Sequence, residues 1–266
     1  VRSYIVSAIF RRNSVFFRPY GAMWRQALET FDTLFVQNVE SKRLLSEIGF
    51  DNVVVAGDTR FDRVAQIAAA AQRVETIERF RGGGRLFVAG STWGPDEEIL
   101  LPLVNANPDV KFVIAPHEMD EGRIAHLMRD AKGGAVRYTQ CDAATRFDDV
   151  QVLVLDTMGM LSSVYGSATW AYVGGGFGVG IHNTLEAATF GLPIAFGPNY
   201  GKFKEARDMV SLGCAVSVRT AGELAAWFAP LRDDEETLRR ASRTAKDYTA
   251  RNQGATGIIL RSIFNS

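Results

Sequence analysis

The 266 residues include 47% apolar and 23% charged side chains, enough to bury a substantial core, which excludes disordered, collagen-like and coiled-coil classes. Lys plus Arg and Asp plus Glu each number 30, so the net charge is zero and no global basic field draws the chain to nucleic acid; any anion site must be local. No stretch approaches the roughly 18 uninterrupted apolar residues of a membrane span, and the first residues lack the order of a signal peptide. Cys141 and Cys214 stand far apart without metal-ligand spacing. This usage fits a reducing, cytosolic compartment and argues against a disulfide scaffold or zinc cluster.

The chain opens on Val1 and runs at once into an apolar segment with no cap or turn before it, as expected of a sequence that continues upstream. Short runs rich in Val, Ile and Phe then alternate with amphipathic stretches, the pattern of buried parallel strands joined by crossover helices. Strands are expected at 4–10, 33–36, 52–56, 86–89, 111–115, 151–155, 169–173, 193–196 and 215–218. Residues 61–81, rich in Ala, Gln, Arg and Glu, end in Gly82, Gly83 and Gly84, and a division is expected there. Three strands upstream make half of a usual doubly wound sheet, and six downstream make a complete one. The expected organisation is α/β: a partial N-terminal unit at 1–62, a linker at 63–84, a complete Rossmann-like unit at 85–250 and a packing helix at 251–266. Near the end, Leu238, Ala241, Ala245 and Tyr248 share one helical face, and Ile258, Ile259 and Ile263 continue the apolar pattern.

The polar signals gather where strands are expected to end. After strand 86–89 come Ser91 and Thr92, placed either to bind an anion or to cap the next helix, with Pro95 in its first turn and Asp96, Glu97 and Glu98 complementing its dipole. His117 follows strand 111–115 on the same rim, whereas His126 falls mid-helix in a structural position. Asp156, Thr157, Met158 and Gly159 follow strand 151–155; Asp156 can cap a helix, or its neighbours can line a nucleotide. Strand 169–173 runs into Gly174, Gly175, Gly176, Gly178 and Gly180 and then a helix, which reads either as a phosphate site or as tight strand-to-helix packing. These glycines do not satisfy G-x-G-x-x-G, which disfavours a nicotinamide dehydrogenase. The run from Gly197 to Gly201 and Lys202 is one residue short of a P-loop and ends in Phe203, which excludes a Walker nucleotidase. Asn183 and Glu186 stand at capping-box spacing, and Glu186 can equally accept from ribose hydroxyls; His182 can donate to phosphate or simply pack. With no Ser-His-Asp order, G-x-S-x-G elbow or paired-His motif, no catalytic residue or metal ligand is assigned. Four such strand ends on one rim point to a crevice.

Taken together these motifs resemble the 3-deoxy-D-manno-octulosonic acid (Kdo) transferases, GT-B-fold enzymes of lipopolysaccharide synthesis that use CMP-Kdo. The resemblance runs through AIFRRNS (8–14), FDTLFVQ (31–37), AGDTRFD (56–62), AGST (89–92) with Glu97 and Glu98, DTMG (156–159), VGG (173–175) with HNTLE (182–186), and GPN (197–199) with FKE (203–205). It implies a GT-B-type protein with one complete and one partial Rossmann-like domain and inverting transfer of Kdo to a lipid A precursor at the cytoplasmic face of the inner membrane, with no cofactor. The implied CMP-sugar contacts are Ser91, Thr92, His117, Thr157, Met158, Gly159, Gly174, Gly175, His182, Asn183 and Glu186. The chain departs from the family pattern where it reads Ala115, Pro116, His117 instead of Pro-Arg-His, lacking an arginine near the donor's charge, and where Trp93 replaces a common His. The family's catalytic Glu and its acceptor and membrane-facing surface are expected upstream of Val1, leaving a donor-binding part without turnover of its own. Two other readings stay open: a GT-B protein using a UDP-sugar, and a non-catalytic nucleotide-binding or assembly module.

Overall fold

A computed structural model of the protein describes residues 1–264; Asn265 and Ser266, the end of the anticipated 251–266 helix, lie outside the described residues. The chain forms two compact units, one of residues 1–66 with the C-terminal segment from Ala250, the other Ile67–Thr249. The C-terminal helix thus belongs with the first unit rather than forming a separate element.

In chain order the first unit holds β1 (Tyr4–Ala8), α1 (Ala22–Glu29), β2 (Thr33–Val36), α2 (Val39–Ser46), β3 (Val53–Val55) and the start of α3 (Thr59–Ala70). Its three strands pair in parallel in the order β1-β2-β3. Leu34, Phe35 and Val36 of the central strand have no exposed surface. β1 stops at Ala8, short of the expected residue 10, because Ser7 takes a left-handed φ of 55° and the register slips between Ile5 and Ala8. The Ser7 hydroxyl accepts from the Thr59 amide at 3.2 Å, and its carbonyl accepts from the Gln37 side chain at 2.9 Å.

The second unit continues with α4 (Glu75–Arg81), β4 (Leu86–Thr92), α5 (Gly94–Ala106), β5 (Lys111–Pro116), α6 (Glu121–Asp130), β6 (Ala135–Arg137), β7 (Val152–Val154), α7 (Leu161–Tyr165) and β8 (Trp170–Val173). Then follow α8 (Thr184–Ala188), β9 (Ile194–Phe196), α9 (Lys204–Ser211), β10 (Ala215–Ser217), α10 (Ala221–Asp233), α11 (Glu235–Arg251) and α12 (Ala255–Phe264). The segment anticipated as a linker is largely helical, carried by the rest of α3 and by α4. The sheet has seven parallel strands, not six, in the order β10-β9-β8-β4-β5-β7-β6. The extra strand, β6, is three residues long and half-buried at the sheet edge, so it carries no run of apolar residues to announce it.

Alternate side chains of the central strands feed two cores, as a parallel sheet covered on both faces requires. Leu86, Val88, Val113, Leu153, Ala171 and Val173 enter one, and Phe87, Ala89, Phe112, Ile114, Trp170 and Tyr172 the other. In the second core Phe228 of α10 meets the Trp170 ring edge-on at 4.9 Å and that of Phe87 at 5.7 Å. α12 is started from a distance: the Asp62 carboxylate of α3 accepts from the amides of Gly254 and Thr256, both at 2.6 Å. Among the described residues no helix is long and apolar enough to cross a membrane.

Candidate functional site

β4 pairs with β5 on one side and β8 on the other, so the chain direction of the crossovers reverses there. In open α/β sheets ligands bind beyond the carboxyl ends of strands at such a switch point. β4 reaches further than its sequence suggests and ends in a kink: Ser91 has a left-handed φ of 54°, with a register slip between Gly90 and Thr92. Non-glycine residues hold that conformation at some cost, and such strain concentrates at functional sites. Thr92, anticipated as a nucleotide contact, is fully buried, and its hydroxyl donates to Glu97 at 2.9 Å; Glu97 also receives Arg123 at 2.7 Å. In this position Thr92 braces the start of α5. Neither Ser91 nor Thr92 is the helix cap, which falls on Trp93.

The third residue of α5, Asp96, organises the rim. Its carboxylate is fully buried and accepts from the Trp93 amide (2.9 Å), the Gly175 amide (2.9 Å) and the Tyr172 hydroxyl (2.7 Å). Burial outweighs these three donors and raises its pKa above the ordinary carboxylate value. One side chain thereby ties the end of β4 to the end of β8. The sequence places Asp96 at capping-box spacing from Trp93 but gives no sign of its two distant partners.

The glycine run after β8 is mostly a packing device. A Cβ on Gly174 would lie 2.1 Å from the Ser91 carbonyl oxygen, and one on Gly176 would lie 2.6 Å from Gly197. Gly175, at φ 91°, turns the chain back, and the His182 amide closes the loop on the Gly174 carbonyl at 3.0 Å. The helix beyond, α8, has only five residues, so it brings a weaker dipole than the expected full helix.

Above this floor lies a cavity of 430 Å³, lined by Trp93, Pro95, Asp96, His117, Gly175, Phe177, Gly178, Val179, Gly180 and His182. Three rings form its wall. The His117 ring packs against both Trp93 (centroids 4.7 Å apart, 31° between planes) and His182 (4.3 Å, 29°). The Trp93 indole N–H donates to His182 Nε2 at 3.1 Å. Burial, then the neighbouring His117, lower the His182 pKa, opposed by Asp96. Of the anticipated contacts, His117, Gly175 and His182 line this cavity; Trp93, Asp96, Phe177 and Val179 were not among them.

A second polar group stands at the start of α8. Asn183 caps it, accepting from the Leu185 amide at 3.1 Å. Glu186 accepts from the Asn183 side chain at 3.0 Å and from the Ser162 hydroxyl of α7 at 2.9 Å. The pair is thus joined side chain to side chain, without the return bond to the cap's own amide that a capping box would place. Thr157, Met158 and Gly159 lie outside the cavity lining, on the loop that leads into α7, and Met158 is 83% exposed. Asp156 is no helix cap; it accepts from the Thr139 amide and hydroxyl at 2.9 and 2.6 Å. Among the described residues no cluster of His, Cys, Asp and Glu could hold a metal ion.

Comparison with solved structures gives the fold class. The C-terminal CMP-Kdo binding domain of WaaA from Acinetobacter baumannii superposes with a TM-score of 0.52 at 20% identity, covering 69% of this chain and 96% of that domain. A UDP-N-acetylglucosamine 2-epimerase superposes with a TM-score of 0.64 at 12% identity, over 99% of this chain and 66% of that one. The chain is a GT-B-type α/β protein. No family model matches it. Its sequence relatives include 3-deoxy-D-manno-octulosonic acid transferases: that of Bordetella pertussis is 26% identical over 269 residues, covering 97% of this chain and 62% of the relative. That of Rickettsia bellii is 23% identical over 236 residues, covering 85% of this chain and 55% of its own. The chain spans 62% of the Bordetella pertussis relative and 43–55% of the Rickettsia ones, and the resemblance to the first extends over 97% of this chain.

Proposed function

We propose that the unit Ile67–Thr249 binds the nucleotide-sugar donor of a Kdo transferase, CMP-Kdo, for inverting transfer to a lipid A precursor in lipopolysaccharide synthesis. The observation that carries this reading is the cavity at the β4/β8 switch point, walled by Trp93, His117 and His182, in a chain whose sequence relatives include Kdo transferases. On this reading the phosphate enters over the glycine loop beside His117 and His182, and the ribose hydroxyls meet Glu186. A second reading, a UDP-sugar as ligand, is favoured by the fold likeness to the UDP-N-acetylglucosamine 2-epimerase. Calorimetric titration with CMP, UDP and AMP separates the two: we expect CMP to bind most tightly, and preference for UDP would replace the first reading with the second.

Turnover needs a base for the acceptor hydroxyl, and the carboxylate of the cavity lining and that of α8 are engaged: Asp96 by three donors, Glu186 by Ser162 and Asn183. We therefore expect the 266-residue chain to bind nucleotide without transferring Kdo; transfer to a lipid A precursor by the purified chain would overturn this part.

The first unit offers chemistry suited to an acceptor held at an anionic lipid surface. Residues 1–28 contain five arginines and no Asp or Glu. On and beside α1, Tyr20, Met23 and Trp24 are exposed. Arginine with interfacial aromatics is the composition of surfaces that rest on anionic headgroups.

A further inference from the structure

We propose that His117 supplies the positive charge for a phosphate-bearing ligand in the switch-point cavity, taking up a proton from solvent as the ligand binds, while Trp93 and His182 act as positioning residues that hold its ring. The proposal rests on the nucleotide-donor reading of this site.

The lining contains no Lys or Arg, and its one carboxylate, Asp96, is engaged by the Trp93 and Gly175 amides and the Tyr172 hydroxyl. The permanent cations nearby have other partners. Lys202, behind Gly180, donates to the Val179 carbonyl at 2.7 Å. Arg123 is paired with Glu97 and donates to the Thr92 carbonyl at 3.1 Å. A phosphate dianion entering this cavity therefore finds two imidazoles as its only sources of a full positive charge in the lining.

The two imidazoles are not equivalent. An indole N–H can only donate, so the 3.1 Å bond from Trp93 requires a lone pair on His182 Nε2 and places the His182 proton on Nδ1. A second proton on His182 would have to break that bond. Burial works in the same direction, holding His182 neutral. His117 is exposed and makes no side-chain hydrogen bond, and its ring packs against both the indole and the neutral imidazole, 4.7 and 4.3 Å away. An imidazolium stacked against these two joined rings gains as a cation over aromatic surface does. The charged and titratable groups around it are Glu118, next in the chain, Asp96 from α5, His182 from the glycine loop, and the Glu97–Arg123 pair behind Thr92. Proton uptake at His117 thus stands in for the arginine that the sequence lacks at this rim.

The test is calorimetric titration of the full chain with CMP and with cytidine between about pH 7 and about pH 8, where a phosphate monoester is already mostly dianionic. Each titration is repeated in two buffers of different ionisation enthalpy, which counts the protons absorbed. CMP affinity should fall by up to roughly tenfold over that unit, with up to about one proton taken up per CMP. Cytidine should show neither effect. His117→Gln should abolish both while leaving the melting temperature unchanged, and His182→Gln, which loosens the His117 ring but leaves its nitrogens in place, should weaken CMP binding while still absorbing a proton. CMP binding that is independent of pH and absorbs no proton overturns the proposal and leaves the donor reading standing. So does a pH effect that survives in His117→Gln and vanishes in His182→Gln. Failure of CMP and cytidine to bind at any of these pH values overturns both.

Discussion

Asp96 is an acidic residue that the fold uses as a triple acceptor, and the geometry separates its shape from its charge. Both backbone amides meet one carboxylate oxygen and the Tyr172 hydroxyl meets the other. In Asp96→Asn the amide oxygen can take both N–H groups, while the NH2 donates to a rotated Tyr172 hydroxyl. We expect Asp96→Asn to melt close to the parent, and Asp96→Ala, which orphans three buried donors, to lose at least about 2 kcal/mol in urea denaturation. The raised pKa of Asp96 means that the folded state binds more protons than the unfolded chain just above the ordinary value of 3.8. Its contribution to stability therefore falls as pH rises through that window. Asp96→Asn should remove this slope from a plot of stability against pH, and an unaltered slope would assign it to other groups. For Glu186, Glu186→Gln keeps the side chain's size and one acceptor for Ser162 or Asn183. The melting temperature should move little while CMP affinity falls on the order of tenfold, the scale of a charge-assisted hydrogen bond. Large destabilisation with unchanged CMP affinity would make Glu186 a brace between α7 and α8.

At the scale of elements, the loop between β8 and α8 shows which glycines are required. Gly174→Ala would drive a methyl against the Ser91 carbonyl, and we expect a loss of at least about 2 kcal/mol by denaturant titration. Gly178 has a negative φ and its nearest neighbour would lie 3.7 Å away, so Gly178→Ala should leave stability within about 0.5 kcal/mol. Equal losses would mean that the loop's conformation and not its packing is limiting. This loop also marks how far the sequence could be read. The strands beneath it were legible because burial on both faces makes them continuous apolar runs, and the rim was legible because polar residues follow each strand end. β6 was not, being short and half-exposed, and β1 ended early at a left-handed Ser7 that composition does not betray. The two readings of the glycines could not be separated in sequence, because what crowds them is backbone from Ser91 and Gly197. Asp96 looked like a helix-dipole residue since its partner Gly175 lies 79 positions away. The aromatic wall was missed for a similar reason: Trp93, His117 and His182 become neighbours only when three strand ends converge.

At the scale of the molecule, the chain's neutral total conceals an uneven distribution, with five arginines before the first carboxylate at Glu29. If that segment meets an anionic bilayer, co-sedimentation with vesicles should rise with their anionic lipid content and weaken with salt. Arg11→Gln should lower the partition constant by about fivefold, the scale of one basic residue at such a surface. Trp24→Ser should lower it further. Binding that is indifferent to lipid charge would set the membrane reading aside and leave the donor reading intact.

The floor of the crevice, where Gly174 lies on Ser91 and Gly176 on Gly197, is main chain against main chain. Heritable change in such a floor has few tolerated forms, since almost any replacement adds atoms where none fit. The wall is under no such restriction: His117, Phe177 and Val179 project from the scaffold without holding it together. Ligand preference and foldability are therefore written in different residues, so a descendant of this chain could exchange one nucleotide for another by altering a few wall positions and inherit the fold unchanged.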